Sequence, residues 1–202
     1  MKIETLEIAG LKSAIKGMRN PMNSWDKSDS YKSSQGEFFI GSNDLELGAK
    51  LVKSGGEHRK FLRMIQVWVD MDMPRYFWSE FDTYHFNTKN SCSTMHRLLH
   101  PTTSITRELF IYDKEDEYEI DIIIKKLNKI RENYLITKDV KLIRRAKQLL
   151  PEGFLQLRTV NTNYEEIRSV YHQRKHHRLK EEWGETFCKW VESLPYFEKW
   201  IK

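Results

Sequence analysis

PRYFWSEFDTYHFNTKNSCSTMH, residues 74 to 96, is the stretch on which the reading of the whole chain turns. Its 23 residues hold six aromatics, two histidines and two acids, followed by a run of Asn, Ser and Thr. Core strands and helices need periodic apolar faces, whereas Asn87 to Thr94 offers almost only short hydrogen-bonding side chains around Cys92. The stretch therefore reads as a buried aromatic lead-in followed by a polar loop. Polar loops held by rigid scaffolds are frequent binding sites, and a solvated connector is the plain alternative.

Upstream, FLRMIQVWVDMDM (Phe61 to Met73) alternates in its second half and is broken by Pro74, which predicts a strand entered from a short helical turn. SNDLELGAKLVKS (Ser42 to Ser54) predicts a helix with Asn43 or Asp44 as N-cap, stopped by Gly55-Gly56. Lys2 to Ala9 alternates as a strand, Leu11 to Met18 recurs at helical spacing up to Asn20-Pro21, and Asn20 to Gly36 reads as a long surface loop.

Downstream, Pro101 to Thr106 reads as loop. Glu119 to Asn133 predicts a helix with a buried stripe of Ile122, Ile123, Leu127 and Ile130. A second helix is expected over Lys138 to Leu150, capped by Thr137 and stopped by Pro151, then a short strand over Gly153 to Thr159. Thr162 and Glu165 fit a capping box ahead of a helix running to Arg174, and Leu179 to Leu194 is helical with Trp183, Phe187, Trp190 and Val191 on its apolar face. The inventory is α+β and helix-rich, one domain over residues 1–202.

The charge of +5 and pI near 9.0 suit anionic partners such as nucleotides, nucleic acid or acidic proteins, although 29 acids are interspersed with the 34 bases. Cys92 and Cys188 have no paired spacing, no apolar run is long enough to cross a bilayer, and MKIETLEIAG alternates rather than forming a signal peptide. A soluble, reduced, cytoplasmic protein with no membrane partner is the expectation.

His172 and His176 stand four apart and would share a helix face, but no glutamate of the H-E-x-x-H kind accompanies them, so solvated or phosphate-facing histidines are expected and no metal. A nucleophilic Cys92 would need a base, for which His85 and His96 are near only in sequence. No phosphate loop of the Walker or Rossmann kind occurs. The denser signal is basic: Arg168, Arg174, Lys175 and Arg178 share a region with three histidines, and Arg144-Arg145 precedes it. Arginine forks match phosphate and carboxylate oxygens, which points to an anionic ligand, with a solvated basic face as the alternative.

The order of segments resembles the flavin-dependent thymidylate synthases. The matching stretches are GEHRKFLR (56–63), the strand ending at Pro74, TYHFNTKNSCSTMH (83–96), RRAKQLLP (144–151) and NYEEIRSVYHQR (163–174). The resemblance implies that family's fold, with a small, mainly antiparallel sheet. It implies FAD as cofactor near His58, His85 and Asn163, and a dUMP-like nucleotide met by Asn90, Arg174 and Arg178, with Thr88 and Ser93 as the catalytic positions. The family's reaction is reductive methylation of dUMP with methylenetetrahydrofolate and NADPH, and its assembly is a homotetramer.

Departures from the family pattern are concentrated in the signature. Its opening Arg-His-Arg appears as Thr83-Tyr84-His85, its closing Arg-Tyr as Met95-His96, and the Arg after Asn163 as Glu165. Two function classes follow: a divergent enzyme of this lineage with its reaction altered or lost, and a non-catalytic protein that reuses the fold to bind a protein or nucleic-acid partner.

Overall fold

A computed structural model describes all residues from 1 to 202. Lys2–Ala9 forms β1 as its alternation predicts, and Gly10 turns the chain at φ 90° into α1 (Leu11–Arg19). A Cβ on Gly10 would lie 2.1 Å from the carbonyl oxygen of Met64, so only glycine fits.

The segment after α1 is not the plain surface loop expected of it. It makes two 3-10 turns and β2 (Tyr31–Lys32), which pairs antiparallel with β3 (Phe38–Phe39). Fully buried Asp44 organises it, accepting hydrogen bonds from Arg19 Nε (2.5 Å), Ser28 Oγ (2.6 Å), Ser30 Oγ (2.5 Å) and the Ser30 N–H (3.2 Å). α2 (Ser42–Lys53) has Gly41 at its N-cap rather than Asn43 or Asp44. Its first free N–H groups, of Asn43 and Asp44, are met from outside by the Asp29 carboxylate at 2.9 and 3.1 Å.

A 3-10 turn over Lys60–Met64 leads into β4 (Gln66–Pro74), whose Val67, Val69, Met71 and Met73 are fully buried at every second position. α3 (Arg75–Phe81) follows at the proline. Thr88–Ser91, read as loop, is instead the strand β5 at one edge of the sheet, and α4 (Thr94–Arg97) is a single turn. An edge strand with exposed side chains needs no apolar periodicity, because backbone pairing alone makes it a strand.

α5 (Glu117–Thr137) and α6 (Val140–Leu149) form a hairpin. α5 buries Ile120, Leu127 and Ile130, while Ile122, expected in the stripe, is 46% exposed. Asp139, not Thr137, caps α6 by accepting from the Lys141 N–H at 2.9 Å, because the Thr137 hydroxyl donates back to the Asn133 carbonyl. β6 is longer than expected (Leu155–Asn163) and runs directly into α7 (Tyr164–Arg174). The cap of α7 is Asn163, whose Oδ1 accepts from the Glu166 N–H at 3.0 Å, so Thr162 and Glu165 do not form the predicted box. The C-terminal part is a wide π-type helix over Lys180–Cys188, continued by α8 (Lys189–Glu192), and a π turn over Phe197–Ile201.

The strands order as β1-β4-β6-β5 in a small antiparallel sheet beside the β2-β3 ribbon. The chain divides into two compact units. The first comprises Met1–Lys2, Met71–Thr83 and Asn90–Arg158; the second comprises Ile3–Asp70, Tyr84–Lys89 and Thr159–Lys202. In the first, Leu98, Leu99, Ile105, Phe110, Leu127, Ile130, Ala146 and Leu150 make the core of the α5–α6 hairpin. In the second, edge-on pairs Phe61–Trp200 (5.4 Å) and Tyr171–Phe197 (5.3 Å) tie the C-terminal helices to the body. No helix is long and apolar enough to cross a membrane.

Candidate anion-binding sites

In the second unit, the end of α7 meets the chain from Tyr84 to Phe86. Arg174 Nε donates to the Tyr84 hydroxyl at 2.8 Å, and its guanidinium lies 4.6 Å from the Trp183 ring centroid and 5.5 Å from that of Tyr84. The Tyr84 hydroxyl donates in turn to Gln173 Oε1 at 3.3 Å, and the Phe86 N–H donates to Glu166 Oε1 at 3.3 Å. Stacking on two rings and one fixed hydrogen bond hold this arginine fork in a single orientation.

The first half of α7 carries a different arrangement. Glu165 accepts from Arg59 Nε with both carboxylate oxygens, at 3.0 and 3.1 Å. One helical turn on, half-buried Arg168 has its Nε shut off from solvent with no hydrogen-bond partner. Burial and the charge of Arg59 both work against its protonated form, with Glu165 acting in its favour. His172, a further turn along, has its pKa held below the ordinary histidine value by burial and by Arg168, Lys175 and Arg59, against the opposing hydrogen bond of its Nε2 with the Ile201 carbonyl at 3.0 Å.

The first unit contains a polar cavity of about 250 Å³ lined by Arg75, Lys147 and Arg158 together with Asp82, Glu152 and Trp78. Arg158 lies 4.3 Å from the Trp78 ring and donates through Nη1 to both oxygens of Asp82 at 3.0 and 3.1 Å. Arg75 pairs with Glu152 at 3.1 Å. Lys147, half-buried in the same wall, has no carboxylate partner. Three cations over two carboxylates leave the cavity suited to a small anion.

The candidates named from the sequence are distributed unevenly around these places. Arg174 is held as described, while Arg178 is exposed beyond the end of α7. The Asn163 side chain serves as a cap. His58 is 53% exposed with Nε2 3.9 Å from Glu57, and His85 is exposed next to Tyr84. Thr88 and Asn90 lie exposed on β5; Ser93 is half-buried at the start of α4, where its carbonyl accepts from the His96 and Arg97 N–H groups. Cys92 is exposed, whereas Cys188 is buried, and burial followed by the charge of Glu192 pushes its thiol up to about 11.

No protein-family model matches the sequence, and no curated protein matches it. Among solved structures, the flavin-dependent thymidylate synthase ThyX from Helicobacter pylori, complexed with FAD and dUMP, superposes with a TM-score of 0.75. The identity is 15%, over 100% of this chain and 98% of that one. A second structure of the Helicobacter pylori enzyme with FAD and dUMP gives a TM-score of 0.75 and 15% identity, covering 100% of this chain and 97% of its own. The chain has the fold of the flavin-dependent thymidylate synthases.

Within this thymidylate synthase fold, two of the altered residues have found partners of their own. Tyr84, at the centre of the replaced Arg-His-Arg, anchors Arg174, and Glu165, standing where the resemblance has an arginine, is neutralised by Arg59. Lys147, Arg158, Trp78 and Arg59 were not singled out from the sequence. Nothing in the sequence separates Lys147, which follows the fully buried Ala146 of α6, from the more conspicuous Arg144 and Arg145, which the fold leaves exposed. No group of three His, Cys, Asp or Glu is placed to hold a metal ion, and α7 ends before His176, which separates it from the face of His172.

Proposed function

We propose that this protein is a thymidylate synthase-like, nucleotide-binding protein that takes a dUMP-like ligand by its phosphate in the cavity of the first unit, with the family's methylation altered or lost. Lys147 carries the reading: it is the cavity cation without a carboxylate, beside Arg75 and Arg158, which are already paired. The likeness of fold to enzymes complexed with FAD and dUMP supports it. Asn90 and Ser93, just before cavity-lining Thr94, are proposed to orient the base, and Arg174 and Arg178 are proposed as further anion contacts in the second unit.

Loss of the usual reaction rests on Thr83, Tyr84 and His85. Each missing guanidinium removes a charge-assisted hydrogen bond of roughly 1.5–3 kcal/mol to an anionic ligand. Of the residues expected near FAD, His58 and His85 are exposed and the side-chain Oδ1 of Asn163 caps α7; the orphaned Nε of Arg168 is what fits a phosphate-bearing cofactor. FAD bound there would supply hydride-transfer chemistry; NADPH and methylenetetrahydrofolate enter only if the family reaction runs. A homotetramer and a cytoplasmic location belong to the same proposal, the first checked by light scattering. The signature replacements favour a second reading, a non-catalytic protein that binds a protein or nucleic-acid partner through the same fold.

Thermal melting with and without dUMP tests the proposal. At a hundredfold excess over Kd, a bound nucleotide stabilises the native state by about 2.7 kcal/mol, and Lys147→Gln should abolish most of that rise. An unchanged rise in Lys147→Gln, or no rise in the wild type, would overturn it. A flavin absorption spectrum of the purified protein separates the two readings, since protein that is colourless and takes up no added FAD favours the second.

A further inference from the structure

We propose that a small cavity between α1 and the β2–β3 segment is a binding site for a single-ring aromatic carboxylate, separate from the nucleotide site of the first unit. The cavity measures about 220 Å³ and is walled by Ile15, Trp25 and Phe38. The sequence prepares one wall by helical spacing: Lys12, Ile15, Lys16 and Arg19 recur at i, i+3, i+4 and i+7 and so share one face of α1. The opposite wall comes from the chain between α1 and α2. Phe38 of β3 lines the cavity while its neighbour Phe39 stacks on Tyr31 at 5.5 Å, as the alternation of a strand requires. Trp25 stays 48% exposed, yet its indole N–H donates to Asn20 Oδ1 at 2.8 Å, which orients the ring. Ser28, Ser30 and Asp44 keep this segment against α1, so the cavity belongs to the fold and to neither element alone.

Size and charge narrow the ligand. An apolar cavity of about 150 Å³ takes up benzene, so this one has room for one ring and a small head group. Sites for drug-sized ligands run to roughly 300–1,000 Å³, and a nucleotide is too large to be enclosed here. Arg19 is neutralised by Asp44, and Ser28 and Ser30 have their hydroxyl protons committed to the same carboxylate. Lys12 and Lys16, exposed one turn apart on α1, have no carboxylate partner. They supply the uncompensated positive charge of the cavity, and no acid lines it. A ring carboxylate offers two acceptor oxygens to these two ammonium groups, and its ring packs against Trp25 and Phe38. The site lies wholly in the second unit and does not depend on Lys147.

Titrations of benzoate and of neutral benzamide, followed by ligand-observed NMR and calorimetry, test this in wild type, Trp25→Ala and the double variant Lys12→Gln/Lys16→Gln. Wild type should bind benzoate with a Kd below about 1 mM, and more tightly than benzamide. The lysine variant should weaken benzoate by about threefold to tenfold, as expected of two exposed charge contacts, and leave benzamide unchanged. Trp25→Ala, which removes a wall, should weaken both ligands by about tenfold or more. The three replaced side chains are exposed, so melting temperatures without ligand should stay near wild type. Any rise in melting temperature caused by dUMP should persist in both variants, and a rise lost in either would merge this cavity with the site at Lys147 and overturn the proposal. It is also overturned if benzoate does not saturate the wild type, if either variant binds benzoate as tightly as wild type, or if the lysine variant loses benzoate and benzamide equally.

Discussion

Replacing Asp44 by alanine should unlatch the segment between α1 and α2 and destabilise the protein by about 3–5 kcal/mol, the usual consequence of breaking a buried ion pair. The structure argues for the upper part of that range. Asp44 is fully buried, Arg19 beside it is 5% exposed, and the same carboxylate also accepts from Ser28 and from Ser30 twice. Asp44→Ala therefore strands a buried guanidinium and takes the acceptor from the Ser28 and Ser30 hydroxyls. Asp44→Asn keeps the volume and one acceptor, and should cost less, about 2–3 kcal/mol. With typical domain stabilities of about 5–15 kcal/mol, either change is visible in a urea melt at neutral pH. Burial alone would push the Asp44 carboxyl up, but hydrogen bonds from Ser28, Ser30 and Arg19, with the Arg19 charge, outweigh it and hold the pKa below the ordinary aspartate value. The folded-state pKa thus lies below the unfolded one. Its stabilisation is present above the unfolded pKa and is lost as pH falls through the folded value, so the gap between wild type and Asp44→Asn should narrow on acidification. An Asp44→Ala protein within about 1 kcal/mol of wild type would refute the reasoning.

Two further substitutions probe the second unit. A Cβ on Gly48 would meet Trp200 Nε1 at 2.5 Å and Cε2 at 2.8 Å, and Trp200 is fully buried with its indole N–H on the Leu45 carbonyl, so Gly48→Ala should lower stability by about 1–3 kcal/mol. An unaltered urea midpoint would mean that Trp200 is not seated against α2. For His172, whose folded pKa is depressed first by burial, the stabilising contribution is present above the unfolded value of about 6.5 and is lost as pH falls through the folded value. A His172→Asn protein should therefore show a flatter decline of stability across that acidic window, and an identical decline in both proteins would count against the half-buried neutral ring.

Much of the framework could be read in the chain without coordinates, because periodicity is local. Alternation in Gln66 to Met73 predicts β4 and its buried face; Gly55 and Pro74 stop their elements where backbone geometry requires; the aromatic stripe of Trp183, Phe187 and Trp190 is buried as its spacing demands. The segments shared with the thymidylate synthase family likewise pointed to the fold that the full-length likeness bears out. Caps were misread wherever competing oxygens stood close together: Asp29, Asp139 and Asn163 do the work expected of Asn43 or Asp44, Thr137 and Thr162. A short polar segment became a strand because its partner lies elsewhere in the chain, which no local pattern encodes.

The site shows the same division more sharply. Residue types and their clustering announce an anionic ligand, since arginines and lysines keep their charge whatever the fold. Which of those charges remains available is a matter of partners, and partners are brought by folding. Arg59 is neutralised by Glu165, 106 residues away, Arg174 is tied to Tyr84, 90 residues away, and Lys147 and the Nε of Arg168 are left without a match. Charge is a property of the residue, whereas its surplus is a property of the tertiary structure.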